Sequence, residues 1–318
     1  MATTAKAYEV SPLDARIPFG AMVNGLRREQ LEDQQVRQSL YDLWIDKGVV
    51  LFRDGDCDED MQVNLSRVFG ELEPHLFAET RSEGNPDLVK IKFYPEDGTC
   101  HRVNGKLRGS WLPWHSDLVY NSRINHGGIL RPVQLPSQLG HTGFLCQIAA
   151  YERLPQGLRD RIADLHVVYE VRINLGECPF TNAGDVSLHR FARSGASIEK
   201  RRFDFPRVIH PMVYTQEGTG RKVLNVSPAF SIGIYEDGGP EGDALLREVV
   251  EYCTDPELAY WHVWQEGDMV LWDNWRVLHS ATGVPPEETR VMERTTITGD
   301  YALGRKLGVD GPVADFDM

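Results

Sequence analysis

The chain contains 318 residues, of which 41% are hydrophobic and 25% are charged, a composition typical of a globular protein. Its formal net charge of −13 argues against nucleic acid as a partner, and no run of about 18 apolar residues is present to span a membrane. The N-terminus lacks the basic and apolar pattern of a signal peptide, and the five cysteines are scattered without a C-x-x-C pair. We therefore expect a cytoplasmic protein with free thiols.

The first part of the chain alternates predicted helices with short strands. Helical spacing of apolar residues predicts a helix over 28–47, and the apolar run at 49–53 predicts a buried strand. A second helix is predicted over 58–70, and an alternating strand is predicted over 87–94. The polar, turn-rich residues that follow predict a mobile loop over 95–110.

The rest of the chain is dominated by short apolar segments. Helices are predicted over 149–164 and about 241–253. Residues 176–206 look irregular and locally basic, which is typical either of a solvated surface loop or of a lid over a pocket. Many short strands with few helices indicate a mainly β protein with flanking helices, built as a barrel or a jelly roll. The strands are predicted at 129–135, 143–147, 166–173, 208–214, 222–227, 268–272 and 290–298.

The most informative motif is the segment Trp114-His115-Ser116-Asp117, read together with His279 far downstream. On an extended strand, residues 115 and 117 point to the same face, so one segment can offer an imidazole and a carboxylate to one metal ion. A second imidazole from His279 would complete a two-histidine, one-carboxylate triad, which is typical of non-haem Fe(II) oxygenases. An H-x-D triplet is common by chance, so its surroundings decide its meaning.

The predicted strand over 290–298 places Arg290 and Arg294 on one face. Two arginines on the inner face of a barrel would be costly if they stayed unpaired, because a buried charge needs a partner. Two bound anions would satisfy both side chains, since a guanidinium group can pair with a carboxylate through two parallel hydrogen bonds.

Landmarks spread over most of the chain resemble the TauD/TfdA family of Fe(II)- and 2-oxoglutarate-dependent dioxygenases. Each landmark is weak alone, but the set follows the family order between about residues 48 and 300. The resemblance implies one catalytic domain over 1–318 whose core is a double-stranded β-helix, that is, a cupin-like jelly roll. The landmarks are Gly48-Val49-Val50-Leu51-Phe52-Arg53, Phe69-Gly70-Glu71-Leu72 with His75, Trp114-His115-Ser116-Asp117, Gly140-His141-Thr142 with Ala149-Ala150-Tyr151-Glu152, His210-Pro211 with Asn225-Val226, Trp272-Asp273-Asn274, His279, and Arg290-x-x-x-Arg294.

The resemblance also implies how the reaction centre is built. His115, Asp117 and His279 would hold Fe(II) and form the catalytic centre. Thr142 and Arg290 would bind the cosubstrate 2-oxoglutarate. With O2 as the second cosubstrate, the reaction would release succinate and CO2 and hydroxylate the substrate.

The resemblance further implies where the substrate binds. Its anionic group would contact Arg294, assisted by His75. The remaining histidines, His101 among them, are interpreted as structural. The candidate residues for the walls of the substrate pocket are Trp111, Leu118, Tyr120 and Phe230.

Two departures from the family pattern bear on the identity of the substrate. Ala78 and Trp111 stand where the taurine enzyme of the family carries a tyrosine and an asparagine. Both changes remove polar contacts, and the second adds a large apolar wall. We therefore expect a small anionic substrate, a carboxylate, sulfonate or sulfate, that is bulkier than taurine.

Two alternatives remain open at this point. The same site can support oxidative desaturation or cyclisation in a biosynthetic pathway. The chain can also be a non-catalytic jelly-roll protein that binds a metal, although structural zinc sites usually have four protein ligands and only three are suggested here. Family analogy further implies a homodimer or a homotetramer. The negative charge and the lack of a long apolar run predict neither nucleic acid nor a membrane as partner.

Overall fold

Two β-sheets that share an apolar core dominate the computed structural model of the chain. The structure describes residues 8–74, 81–82, 84–200 and 202–308. Within these ranges the strands, numbered in chain order, are β1 (Glu9–Pro12), β2 (Ala21–Asn24), β3 (Val49–Arg53), β4 (Arg81–Ser82), β5 (Asn85–Phe93), β6 (Cys100–Val103), β7 (Lys106–Gly109), β8 (Leu112–His115), β9 (Gly127–Gln134), β10 (Thr142–Cys146), β11 (His166–Tyr169), β12 (Val186–Arg190), β13 (Val208–Pro211), β14 (Val213–Thr215), β15 (Lys222–Leu224), β16 (Ser231–Ile234), β17 (Tyr260–His262), β18 (Met269–Asp273), β19 (Val277–Ala281), β20 (Arg290–Thr295) and β21 (Arg305–Lys306).

The strand pairings define a large sheet and a small sheet. The large sheet has the order β1-β2-β3-β18-β9-β20-β5-β4, and the small sheet has the order β17-β10-β19-β8. Additional sheets have the orders β16-β11-β13-β21, β12-β6-β7 and β14-β15. The strands next to one another in the centre of both main sheets are antiparallel, so residues far apart in the sequence become direct neighbours.

Side chains from both main sheets meet in one buried cluster. Leu51, Leu130 and Met292 come from the large sheet, and Phe144 and Leu278 come from the small sheet. Two antiparallel sheets packed around such a core form the double-stranded β-helix, or jelly roll, that the sequence predicted. The predicted fold class, mainly β with flanking helices, is therefore confirmed.

The helices lie around this core, and two of them begin at aspartate caps. Asp33 and Asp58 accept hydrogen bonds from the backbone N–H groups of Gln35 and Met61, at 2.8 Å in each case. Of the helices in the described ranges, none is both long enough and apolar enough to cross a lipid bilayer. The α-helices are α1 (Gln34–Lys47), α2 (Glu59–Phe69), α3 (Gln147–Arg153), α4 (Gln156–Ile162), α5 (Arg193–Lys200) and α6 (Pro240–Cys253), and shorter 3-10 helices lie at Arg28–Glu32, Leu175–Glu177, Arg202–Asp204 and Pro256–Leu258.

Residues 95–110 are not the mobile loop that their polarity predicted. They contain the hairpin of β6 and β7, closed by Asn104-Gly105, whose φ angles of +48° and +80° fit a type I′ turn. Residues 176–206 are not irregular either, because they contain α5 and also β12, which pairs with β6. We call the unit formed by β12, β6 and β7 the hairpin sheet.

One predicted helix is divided and one strand was not predicted, each for a local reason. The helix predicted over 149–164 is divided into α3 and α4 at Leu154-Pro155. Proline lacks a backbone N–H, and its ring excludes a helical conformation for the residue before it. Strand β19 was not predicted at all, because His279 and Ser280 interrupt the apolar pattern that marks a buried strand.

Candidate active site

Two histidines on neighbouring strands form the base of a candidate metal site. His115 ends β8, and His279 lies directly opposite it in β19. Directly opposed residues of an antiparallel pair project from the same face of a sheet, and the two imidazole rings lie with their centroids 4.0 Å apart. The Oδ1 atom of Asp117 lies 3.8 Å from His115 Nε2 and 3.7 Å from His279 Nε2.

Among the described residues, these three form the group of histidine and carboxylate side chains that could hold a metal ion. One ligand atom from each lies within 4.8 Å of the other two, a spacing from which all three can reach a shared ion. Two imidazoles and one carboxylate on one side of an ion leave its other positions open, which suits Fe(II) and differs from a closed zinc site with four ligands. The donor set therefore fits the metal that the sequence predicted.

The residues around His115 and Asp117 hold their ligand atoms in place. His115 Nδ1 lies 2.8 Å from the carbonyl oxygen of Pro113, which places the ring proton on Nδ1 and leaves the Nε2 lone pair free. Strand β8 stops at His115, so the assumption of one continuous H-x-D strand is wrong. The side chain of Asn274 orients Asp117 instead, because it accepts from the Asp117 N–H at 2.8 Å and donates to its carbonyl at 3.0 Å.

The electrostatics of the triad favour metal binding. Burial lowers the pKa of His115 to about 3, and the neighbouring His279 adds to this shift, so the imidazole stays neutral. Burial alone would raise the pKa of the Asp117 carboxyl group, but Arg294 and then His279 lower it well below its usual value. Arg294 Nη1 donates to Asp117 Oδ2 at 2.6 Å. A neutral imidazole and an ionised carboxylate are the forms that bind metal.

Arg290 is a buried cation whose surroundings fit an anion. Its exposed fraction is 5%, and in the described part of the chain its Nε atom has no hydrogen-bond partner. Burial lowers the pKa of its guanidinium group to about 10, which reflects the cost of a desolvated charge. Gly140 lies against its stem, because a Cβ on this glycine would come within 3.3 Å of Arg290 Cδ. A bound carboxylate would supply a negative charge and hydrogen-bond acceptors to this guanidinium group.

Thr142 offers a hydroxyl group to the same cavity. Its Oγ1 accepts a hydrogen bond from the indole N–H of Trp264 at 3.0 Å, so its own hydroxyl hydrogen remains available for donation. Thr142 and Arg290 both line the cavity that contains the triad. Their chemistry fits the carboxylate of 2-oxoglutarate that the family resemblance assigned to them.

The cavity above the triad has a volume of about 310 Å³ and is mainly apolar. Trp111, Tyr120 and Phe230 line it, as expected, and the rings of Tyr120 and Phe230 meet edge to face at 5.2 Å. Phe230 also lies edge to face with His115 at 6.1 Å, so it connects the metal site with the pocket wall. The remaining wall residues include Ile91, Leu130, Ile173, Leu175 and Trp272.

Unusual backbone conformations cluster around this cavity. Ser110, Leu118 and Phe230 adopt positive φ angles of 50°, 56° and 69°, which are uncommon for residues with a side chain. Such strained positions are often found at functional sites. Leu118 itself is not found among the described residues that line the cavity, although it follows the ligand Asp117.

The structure locates some of the predicted site residues and adds others that the sequence did not predict. His75 and Ala78 lie outside the described residues. Arg294 lines the cavity together with Arg290, as the strand alternation predicted, but its Nη1 contacts Asp117. Sequence reasoning missed the positioning role of Asn274, although this residue was part of a family landmark. It also missed two of the polar side chains of the pocket wall, His101 and Arg172, for which the sequence carries no motif.

Comparison with known proteins agrees with this geometry. The profile of the family described as "Taurine catabolism dioxygenase TauD, TfdA family" matches residues 9–296. The chain belongs to the TauD/TfdA family. It is therefore a non-haem iron dioxygenase that depends on 2-oxoglutarate, and its cofactor and cosubstrates are Fe(II), 2-oxoglutarate and O2.

Individual relatives cover almost the whole chain. The (S)-phenoxypropionate/alpha-ketoglutarate-dioxygenase of Sphingobium herbicidovorans is 30% identical, over 93% of this chain and 96% of the relative. Pentalenolactone F synthase of Streptomyces arenae is 27% identical, over 93% of this chain and 97% of the relative. A crystal structure of a Burkholderia xenovorans protein assigned as an alpha-ketoglutarate-dependent taurine dioxygenase superposes with a TM-score of 0.72 and 25% identity, and the match covers 96% of this chain and 100% of that one.

Proposed function

We propose that this dioxygenase oxidises a small organic monoanion with an apolar body, and that His115, Asp117 and His279 are its iron ligands. The observation that carries the proposal is the meeting of this triad with two buried arginines, Arg290 and Arg294, in one cavity. When bound, iron supplies the oxidising chemistry, in which O2 and 2-oxoglutarate are consumed and succinate and CO2 are released.

The residues of the chain would orient the two organic partners. Arg290 would pair with the carboxylate of 2-oxoglutarate that is remote from the iron, and the Thr142 hydroxyl would donate a second hydrogen bond to it. Arg294 would bind the anionic group of the substrate. The apolar walls would exclude water, which strengthens each of these charge interactions.

The balance of buried charge supports a substrate with a single negative charge. Arg290 and Arg294 contribute two positive charges, and Asp117 contributes one negative charge. The charges of Fe(II) and of doubly ionised 2-oxoglutarate cancel, so one positive charge remains. Arg172, the other cation at the cavity wall, is already paired with Glu170 at 2.7 Å. A monoanionic substrate would leave the site neutral, which favours its burial.

The apolar walls support a substrate with a hydrocarbon or aromatic body. Trp111, Tyr120 and Phe230 offer aromatic surface to a cavity of about 310 Å³ that also has to hold 2-oxoglutarate. The Sphingobium relative is named for phenoxypropionate, an aryloxy acid of this kind. We therefore propose a carboxylate, sulfonate or sulfate bulkier than taurine, with aryloxyalkanoates as the first class to test.

A second outcome of the same chemistry is also supported. The match to pentalenolactone F synthase extends over 93% of the chain, and that relative is named as a synthase. Desaturation or cyclisation would use the same iron site and the same anion contacts. Mass spectrometry of the product separates the outcomes, since hydroxylation adds one oxygen and desaturation removes two hydrogens.

The decisive experiment measures succinate formation with Fe(II), 2-oxoglutarate and a panel of carboxylates, sulfonates and sulfates. Arg294→Gln should raise KM for the substrate at least tenfold more than KM for 2-oxoglutarate, and Arg290→Gln should show the opposite pattern. The exposed Arg153→Gln variant is the control and should leave both constants unchanged. If no acid stimulates succinate formation, the proposal that the substrate is a small acid is wrong.

We also propose a single catalytic domain, a homodimer or homotetramer, and a cytoplasmic location. The family match over 9–296 supports the single catalytic domain. Family analogy supports the homodimer or homotetramer. Light scattering after size-exclusion chromatography tests this oligomeric state. The cysteines are free thiols, as expected in a reducing compartment.

A further inference from the structure

One buried histidine at the cavity has no role in the chemistry described so far. His101 lies in β6 of the hairpin sheet, has an exposed fraction of 0%, and lines the cavity above the triad. Neither of its ring nitrogens has a hydrogen-bond partner among the residues that the structure describes. Its ring meets Trp111 edge to face at 5.8 Å, which fixes its place in the pocket wall. An unpaired buried polar group of this kind calls for an explanation.

Two other buried histidines, His210 and His262, show how a structural histidine can be satisfied in this chain. His210 Nε2 lies 2.8 Å from the carbonyl oxygen of Asn121. His262 lies 3.0 Å from both Tyr260 and Asp268, through its two ring nitrogens. Since a buried imidazole without hydrogen bonds lowers stability, a purely structural His101 would be expected to have partners of this kind.

The imidazole of His101 offers hydrogen bonds without charge. Burial lowers its pKa to about 4, so the ring is neutral near neutral pH. A neutral imidazole carries one donor and one acceptor. Two other polar residues of the cavity wall are uncharged or already paired, because Thr99 Oγ1 accepts from the Ala192 N–H at 3.0 Å and Arg172 is paired with Glu170. The cavity therefore contains uncharged polar groups as well as Arg290 and Arg294.

We propose that the His101 imidazole forms a hydrogen bond with an uncharged polar atom of the substrate, such as an ether, carbonyl or hydroxyl oxygen located away from its anionic group. His101 is then a specificity-determining residue for the reaction proposed above, on which this inference rests. A substrate with a polar atom at this place forms the hydrogen bond that the imidazole otherwise lacks. A wholly apolar body leaves the imidazole without that hydrogen bond in a closed cavity. The cavity would therefore select acids with two polar ends and an apolar centre.

The size of this selection follows from the free energy of one hydrogen bond. The preferred substrate gains one neutral hydrogen bond and avoids leaving a buried polar group unpaired. Together, these two effects correspond to a preference of about tenfold in the dissociation constant. Replacement of His101 by leucine keeps a similar volume next to Trp111 and removes both ring nitrogens. The variant should therefore lose the preference while its pocket remains filled.

The test uses phenoxyacetate and its ortho, meta and para methoxy and hydroxy derivatives as probes. Dissociation constants are measured by calorimetry on the enzyme loaded with Fe(II) and 2-oxoglutarate under anaerobic conditions, so that no turnover occurs. The wild-type enzyme should bind at least one oxygen-bearing derivative about tenfold more tightly than phenoxyacetate itself. His101→Leu should bring this ratio close to one, and His101→Gln, which keeps a donor and an acceptor, should restore part of it.

The controls separate this role from a structural one. His189→Leu removes an exposed histidine from β12 of the same hairpin sheet and should keep the wild-type ratio. The dissociation constant of 2-oxoglutarate and the melting temperature identify any His101 variant that is merely misfolded. A general loss of stability would weaken all probes alike and leave their ratio unchanged.

Two outcomes overturn the inference. One is a wild-type enzyme that does not prefer any oxygen-bearing probe, and the other is a preference that persists in His101→Leu. Failure of the proposed function is recognised separately, because in that case no acid of the wider panel stimulates succinate formation by the wild-type enzyme. Succinate formation with an unchanged ratio in His101→Leu overturns the role of His101 alone.

Discussion

Arg294 Nη1 lies 2.6 Å from Asp117 Oδ2, so the arginine expected to bind the substrate anion is paired with the carboxylate of the metal triad. The two residues are 177 positions apart, and their pair joins β20 of the large sheet to the turn that follows β8 of the small sheet. Both side chains are largely buried, at 8% and 14% exposure. The substrate anion would therefore bind to an arginine that is already in contact with the metal site.

Removal of Arg294 should destabilise the metal-free protein. Arg294→Ala would leave the buried Asp117 carboxylate without its arginine partner, at a cost of about 3 kcal/mol in the free energy of unfolding. Urea denaturation in the presence of a chelator measures this loss. In the double variant Asp117→Ala/Arg294→Ala, the loss should be smaller than the sum of the two single losses. Arg153→Ala, which breaks an exposed pair with Asp255, should cost less than about 1 kcal/mol. Additive single losses would show that the pair does not form.

Arg290 should show the opposite relation between stability and binding. Arg290→Met removes a desolvated charge whose Nε has no partner among the described residues, so the metal-free protein should become more stable by about 2 kcal/mol. The dissociation constant of 2-oxoglutarate, measured by calorimetry with Mn(II) in place of Fe(II), should rise by about tenfold or more. A loss of stability in Arg290→Met would contradict the description of Arg290 as an unpaired cation.

The hydrogen bond between Trp264 and Thr142 should matter for 2-oxoglutarate alone. Thr142→Val keeps the shape of the side chain but removes the hydroxyl donor and leaves the Trp264 N–H unpaired. KM for 2-oxoglutarate should rise about tenfold, whereas KM for the substrate should change little. Thr142→Ser retains the hydroxyl group and serves as the matched control. Equal effects of valine and serine would mean that the hydroxyl group is not used.

The buried His101 should contribute to the loss of stability in acid. The pKa of His101 is lowered from 6.5 to about 4 in the folded protein, so below about pH 6.5 the unfolded chain binds a proton that the folded chain does not. Stability is therefore lost as the pH falls from about 6.5 toward about 4, and the loss from this group amounts to about 1 to 2 kcal/mol at about pH 5. His101→Leu should reduce the difference in unfolding free energy between about pH 7 and about pH 5 by this amount. Equal differences in the wild type and the variant would show that His101 is protonated equally well in both states.

Local patterns predicted many elements correctly. The strand predicted at 49–53 is β3, and the helix predicted at about 241–253 is α6, because apolar periodicity reports burial within a single element. Where the apolar pattern did not predict an element correctly, a local sequence signal was sometimes present. Asn104-Gly105 marks the hairpin within the segment taken for a mobile loop, and Pro155 marks the division of the predicted helix.

The sequence by itself determined which residues can do chemistry here: the ligand types of the triad, the two arginines on one strand face, and the order of landmarks that identifies the family. These features depend on residue type and on spacing along the chain. Only the tertiary structure decided that Arg294 meets Asp117 and that Asn274 orients Asp117. It also decided that His101 lines the cavity without a hydrogen-bond partner in the part of the chain that the structure describes. These relations depend on how antiparallel strands from distant segments are paired and stacked, and no periodicity within one segment records the neighbours that a side chain meets across a core.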